Sequence, residues 1–390
     1  MKKKLLLGTT ALIAAGVVSG GVAQAAEEPI TAGVGGYFRS AMGLISQDDN
    51  DGEFAEGAQS FTLGNDIEIV VSGKTTLDNG ITAGFNANIE GNGGGTAANG
   101  SAALDERFVF FSGGFGLLRI GQIESARQSM TVFAPSGNYN FGVNSPFFIF
   151  ANPGNAAGFF NVRTYDDGLG NEDNIKLVYY SPTFNGFRLG ASYSPEDGNN
   201  GQYGGNAGDA ASGFQNNASV SAEFHKTFGS VSLGLMLGWE GYVVEQCGAT
   251  AAVQTCDNNV DSTQIGGSVG FGEWSIGGGW LETEQTTFNA NGSSRDREDF
   301  DLGVAWWHGP FGVGLQYGQA ELDIAADNTT DELKIYELNA TYVLGPGIDV
   351  GAAIAKGEYD NGTAGGLDND YRSEERRIGK ECRSRWSPYH

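Results

Sequence analysis

From residue 217 onward, apolar and polar side chains change places at every step. Ala218, Val220, Ala222 and Phe224 alternate with Asn217, Ser219, Ser221, Glu223 and His225. Beyond Thr227-Phe228-Gly229, residues Val231, Leu233, Leu235, Leu237 and Trp239 alternate with Ser232, Gly234, Met236, Gly238 and Glu240. A period of two sustained over about ten residues is a β-strand with one apolar and one polar face. About ten residues is also the length with which a tilted strand crosses a bilayer. The unit recurs along the chain. Segments 67–76 and 81–90 flank Leu77-Asp78-Asn79-Gly80, a strong hairpin signal. Segments 105–112 and 115–123 flank Gly113-Gly114, and 175–182 and 187–194 flank Thr183-Phe184-Asn185-Gly186. Segments 263–271 and 274–282 flank Gly272-Glu273, 300–308 and 311–321 flank Gly309-Pro310, and 333–343 and 348–357 flank Leu344-Gly345-Pro346-Gly347. These seven hairpins predict fourteen strands, and 34–45 adds one before them.

The connections between hairpins differ in kind from the turns within them. Segments 47–59, 91–101, 195–215, 243–262, 285–298 and 359–370 are long and polar, and 124–174 is the longest. Short turns alternating with long loops match the one-sided build of outer-membrane barrels, which have short periplasmic turns and long outer loops. Phe111, Phe115, Phe184, Phe187, Phe228, Phe271, Trp274, Trp307, Phe311 and Tyr342 cluster beside the short turns. That placement predicts an interfacial aromatic girdle.

Composition narrows the choice of class. There are 63 glycines in 390 residues, and 47 Asp and Glu stand against 22 Lys and Arg, a formal charge of −25. So acidic a chain does not bind nucleic acid by neutralising phosphates. Beyond residue 25, no apolar run approaches the roughly 18 residues of a membrane-spanning helix.

Both ends read as something other than fold. Lys2, Lys3 and Lys4, the apolar run 5–18 and Ala23-Gln24-Ala25 form a secretory signal peptide over 1–25. Segment 372–390, RSEERRIGKECRSRWSPYH, carries five arginines where 26–371 holds eight. It resembles the translated read-through of a sequencing adapter and is expected to be a non-native tail. The two ends hold nine basic and three acidic residues, so the segment between them carries −31. Setting the tail aside removes Cys382 and leaves Cys247 and Cys256, a plausible disulfide in an exported protein.

With this pattern in place, the chain resembles the general porins of Gram-negative outer membranes, the alphaproteobacterial type in particular. The resemblance rests on Val34-Gly35-Gly36-Tyr37-Phe38-Arg39, on Leu77-Asp78-Asn79-Gly80, and on residues 107–116, RFVFFSGGFG. It rests further on residues 174–182, NIKLVYYSP, followed by Gly186-Phe187. It implies an all-β transmembrane antiparallel barrel of 16 strands over 26–371, assembled as a homotrimer, with a third outer loop folded inward. Fifteen strands are readable. The closing one is expected to begin near residues 368–371, where the tail takes over. The sequence as it stands is therefore expected to leave two strand edges unpaired. Implied partners are outer-membrane lipid and lipopolysaccharide, the barrel-assembly machinery, and small hydrophilic solutes and ions. No cofactor is implied, beyond loose Ca2+ or Mg2+ binding by acidic outer loops.

In such a barrel, function belongs to the inner face and the inward loop. Strand parity places Arg39, Lys74, Arg107, Arg119 and Arg188 on inner faces, as the basic wall of a constriction. Loop residues Glu124, Arg127, Arg163, Asp166, Asp167, Glu172 and Asp173 supply the facing charges. Opposed rows would set up a transverse field that orients polar solutes. The expected function is passive diffusion of ions and small hydrophilic solutes through a water-filled channel. A surface-exposed β-protein or adhesin without channel activity, or a solute-selective channel of the same fold, fits the same strands.

Enzyme signals are weak. Gly266-Gly267-Ser268-Val269-Gly270 fits G-x-S-x-G but lies inside a strand with no helix after it. His225 and His308 are too few for a zinc triad, and Asp48-Asp49-Asn50-Asp51-Gly52 lacks the twelfth-position carboxylate of a calcium loop. No enzyme and no metal centre are expected.

Overall fold

The computed structural model describes residues 30–47, 60–91, 103–138, 142–144, 162–165, 174–196, 214–244, 258–285, 295–324, 329–362 and 369–382. The signal segment 1–25 lies outside them. Alternating sequence becomes strand throughout: β1 (Thr31–Gln47), β2 (Phe61–Thr76), β3 (Thr82–Glu90), β4 (Ala103–Gly113) and β5 (Gly116–Gln122). One turn of helix, α1 (Ala126–Ser129), precedes β6 (Ile175–Tyr180), β7 (Phe187–Glu196), β8 (Phe214–Phe228), β9 (Val231–Val244) and β10 (Asn258–Phe271). Then follow β11 (Trp274–Gln285), β12 (Arg295–His308), β13 (Phe311–Ile324), β14 (Thr329–Gly345), β15 (Ile348–Asp360) and β16 (Asn369–Cys382). Each strand pairs antiparallel with its neighbour in sequence, and β1 pairs with β16, so the sheet is a closed barrel.

Register carries the alternation around the wall. Leu237 pairs with Ile265, and Ile265 with Trp280; Ile276 pairs with Val304, and Val304 with Leu315. Apolar positions thus stand beside apolar positions from strand to strand, and together they form a belt exposed on the outside of the barrel. Among the aromatics beside the short turns, Phe184, Phe187, Phe228, Phe271, Trp274, Phe311 and Tyr342 are exposed on this face, as a girdle requires. Trp307 is a correction. It shares the inward parity of Gly303 and Ala305, and its Nε1 donates to the Ser136 carbonyl at 3.1 Å.

Closure also corrects the expectation of unpaired edges. Asn369–Cys382 pairs over its length with β1 and with β15, so backbone donors and acceptors find partners even where the sequence reads as foreign. The register sets Lys380, Arg376 and Glu374 opposite Phe38, Met42 and Leu44, which lie on the exposed outer face of β1.

Candidate pore and its internal loop

The segment after β5 turns into the barrel instead of out of it. Ser125 caps α1, its Oγ accepting from the Gln128 amide at 3.2 Å. On the side facing the wall, Ile123, Ala126 and Met130 bury against Phe108 and Phe110 of β4 and Val178 and Tyr180 of β6. Phe108 and Phe110 are 5% and 7% exposed, so they face inward, while Val109 and Phe111 face lipid.

From there the loop crosses the inner wall strand by strand, seated where the wall has no side chains. A Cβ at Gly190 would meet the Met130 sulfur, and one at Gly266 would overlap the Val132 carbonyl. Gly303 lies under the Pro135 carbonyl, Gly314 under Gly137, Gly318 under Val143 and Val162, and Gly351 under the Asn138 side chain. All are inward positions, on β7, β10, β12, β13 and β15, three to seven residues from the short-turn ends of those strands. The described part of the loop thus runs from β4 round to β15, leaving β16, β1, β2 and β3 uncovered.

Polar wall residues fasten what the glycines seat. Arg127, 1% exposed, donates from Nε to Glu240 at 3.0 Å and from Nη1 to Gln264 at 3.2 Å. Glu240 also accepts from Ser125 Oγ at 2.6 Å and Asn217 Nδ2 at 2.8 Å. Asp301 accepts from the Ala134 amide at 2.9 Å, the Gly279 amide at 2.6 Å, Asn144 Nδ2 at 3.0 Å and the Thr164 hydroxyl. Asp299 takes the Arg163 amide at 2.8 Å and the Arg297 guanidinium at 2.6 Å. Asn339 accepts from the Gly137 amide at 2.9 Å. Glu240, Gln264, Asp299, Asp301 and Asn339 were not among the residues singled out from sequence. Their signal was present: polar residues on inward parity on β9, β10, β12 and β14, on or beside strands that carry inward glycines.

The residues singled out for the constriction separate in space. Arg39 is inward on β1, 3.5 Å from Asp66 and over the Tyr37 ring. Lys74 is inward, two residues before the end of β2. Arg119 is inward on β5, over the rings of Phe108 and Tyr180. Arg188 is inward at the start of β7, bound to Glu223 at 2.6 Å. Arg107 is a correction: it pairs with Ala87 and shares the parity of Val109 and Phe111, which puts it on the outer face. Its place on the inner wall is taken by Glu106, which accepts from Asn88 Nδ2 at 3.2 Å. Arg127 is buried in the loop's own anchorage and Arg163 binds the wall through its backbone, while Glu124 accepts from Ser129 Oγ at 3.4 Å. Asp166, Asp167, Glu172, Asp173, Cys247 and Cys256 lie outside the described residues. Of the expected basic wall, Arg39, Lys74, Arg119 and Arg188 are thus inward, while four of the five loop acids expected to face it lie outside the described residues.

Comparison with known proteins agrees with this architecture. The solved structure of the outer-membrane channel DcaP of Acinetobacter baumannii superposes with a TM-score of 0.62 at 12% identity, covering 92% of this chain and 99% of that one. An anion-selective porin from Comamonas acidovorans gives 0.59 at 17% identity, covering 90% and 100%. OmpT of Vibrio cholerae in its trimer form gives 0.57 at 13%, covering 90% and 100%. At such identities the likeness is one of fold. No curated protein sequence matches the chain. The model of the Gram-negative porin family matches residues 8–362, ending before the segment read as a foreign tail. Matched over most of its length, and built as a closed barrel with the described part of its longest loop laid inside, the chain belongs to the Gram-negative porins.

Proposed function

We propose that this outer-membrane channel conducts small hydrophilic solutes along the part of the lumen that the described residues of the internal loop leave open, beside β1, β2 and β3. The single observation behind this reading is the loop's course: its described residues hug one side of the wall, from β4 round to β15. A loop fixed in that way narrows a water-filled barrel without closing it. Reconstitution of the full chain into planar bilayers tests this. Stepwise conductance, non-saturating in salt, is the expected result. Saturable current blocked by one solute would favour a solute-selective channel, and a water-soluble monomer without steps would favour the adhesin.

Assembly as a homotrimer belongs to the same proposal. β5 and β6 hold only 7 and 6 residues, fewer than the roughly 9–11 of a strand spanning lipid alone. Arg107 stands on the outer face of β4, beside them. A short wall with an outward arginine is suited to cover by a neighbouring subunit and unsuited to bare hydrocarbon. The trimer form of the Vibrio cholerae OmpT neighbour supports the reading.

A further inference from the structure

The wall that the described part of the loop leaves uncovered is acidic on β2, β3 and β4, and among the described residues of β1–β4 one cation, Arg39, stands at the level of these acids. Asp66 and Glu68 of β2, Glu90 of β3, and Asp105 and Glu106 of β4 lie seven to ten residues from the short-turn ends of their strands. Glu68 and Glu90 pair directly across β2 and β3, and Asp105 lies within electrostatic reach of both. Like charges opposite one another on one sheet face repel. Arg39 is the one cation from β1–β4 described among them, and it is spent on Asp66. Arg107, whose charge would have offset the group, faces out.

The amides beside the carboxylates point the same way. Glu106 can only accept, so Asn88 turns its Nδ2 toward it, at 3.2 Å. Asn88 Oδ1 then receives Asn86 Nδ2 at 2.7 Å. This relay fixes the Asn86 amide and leaves its Oδ1 as a bare acceptor on a side chain only 3% exposed. Asp66, 8% exposed, likewise has an Oδ2 with no hydrogen-bond donor, Arg39 approaching only to 3.5 Å. Buried oxygens that lack donors, set among carboxylates, call for a positively charged visitor.

The short-turn end of the lumen differs. Lys74, Arg119 and Arg188 lie one to three residues inside the short-turn ends of their strands, with Glu223 on Arg188 and Asp349 of β15 at the same end. About six residues of strand, at about 3.3 Å each and tilted about 40°, separate the two levels by roughly 15 Å along the pore. The loop's glycine seats lie between them. Charge is therefore graded along the axis, strongly negative on the loop-bearing outer side and nearly balanced on the short-turn side.

Resting on the channel reading above, we infer that Glu68, Glu90, Asp105 and Glu106 make this porin select small cations, organic ammonium ions included, and pass them unequally in the two directions at low salt. A carboxylate-lined passage with low-dielectric walls raises local cation concentration on the order of tenfold or more. Axial grading of fixed charge makes the gain depend on the direction of the field, and salt screens it.

The test is planar-bilayer recording with the full chain in a tenfold KCl gradient. The wild type is expected to reverse on the cation side, with a K+ to Cl− permeability ratio on the order of ten. Its current in symmetric 50 mM KCl is expected to differ between polarities and to become ohmic at 1 M. The Glu68→Gln/Glu90→Gln/Asp105→Asn/Glu106→Gln variant is expected to keep its steps while the ratio falls toward one. Should that variant not fold, wild-type channels taken to pH 3 should show the same fall, because carboxylates are then largely protonated. Steps with a wild-type ratio at or below one, or a ratio indifferent to both neutralisations, would overturn the inference and leave the channel standing. Absence of steps altogether would overturn both.

Discussion

Gly266→Val is expected to lift the internal loop off the wall. The new side chain would overlap the Val132 carbonyl, a backbone atom on a segment held at both sides, by Gln264 and by Asp301. Overpacking of this kind typically costs about 1–3 kcal/mol, more when backbone must move. The barrel ladder itself does not pass through the loop, so the protein is expected to fold and insert. Its loop, no longer lying in its seat, would lean into the open part of the lumen, and steps should shrink by roughly half and flicker. The adjacent Gly267→Val is the control. Gly267 has outward parity and a Cβ there meets Leu235 at 3.4 Å, an ordinary contact, so conductance should not change. Equal behaviour of the two variants in single-channel recording would show that the glycine seat does not position the loop.

The second large effect is expected at Arg127. Removing one partner of a buried ion pair leaves the other charge without compensation, typically at about 3–5 kcal/mol. Arg127→Met would leave Glu240 buried without the guanidinium, still accepting from Ser125 and Asn217. The expected outcome is a loop cut by protease in intact membranes, where the wild-type loop resists, together with a lower melting temperature of the folded band. Arg127→Met/Glu240→Leu should recover much of the loss, since the lone charge is then gone. A double variant as sensitive as the single one would mean that the pair fixes α1 through something other than its charges.

Much of the barrel was legible because one face meets lipid and the other meets water, which writes a period of two into nearly every strand. Legibility failed where that contrast fails. Phe108, Val109, Phe110 and Phe111 are apolar in succession, so parity could not be read from them. The inward pair is apolar because α1 covers it, and assigning it to lipid turned Arg107 the wrong way. Trp307 fails for the same reason: an aromatic beside a short turn looks like girdle unless the loop carbonyl it serves is known. Between Ala87 and Ile89 a register shift against β4 breaks strict alternation as well, and brings Asp105 and Glu106 together opposite Asn88. The loop's course depends on contacts more than a hundred residues apart, such as Arg127 with Glu240, which no local pattern encodes. The inward glycines of β7–β15 were in plain view, but they read as generic barrel glycines until a loop was found lying on them.

Everything rests on lipid wetting one parity of the strands and water the other. Single cysteines in a cysteine-free background test that most directly. They would be placed at the outward positions Leu235, Leu302 and Leu338 and the inward positions Ser232, Ser268 and Asn88, in reconstituted vesicles. A water-soluble maleimide should label the inward set and spare the outward set, while fluorophores on the outward set should be quenched by spin-labelled lipid. Labelling of Leu235→Cys, Leu302→Cys and Leu338→Cys from water, without quenching by lipid, would contradict a membrane channel of this design.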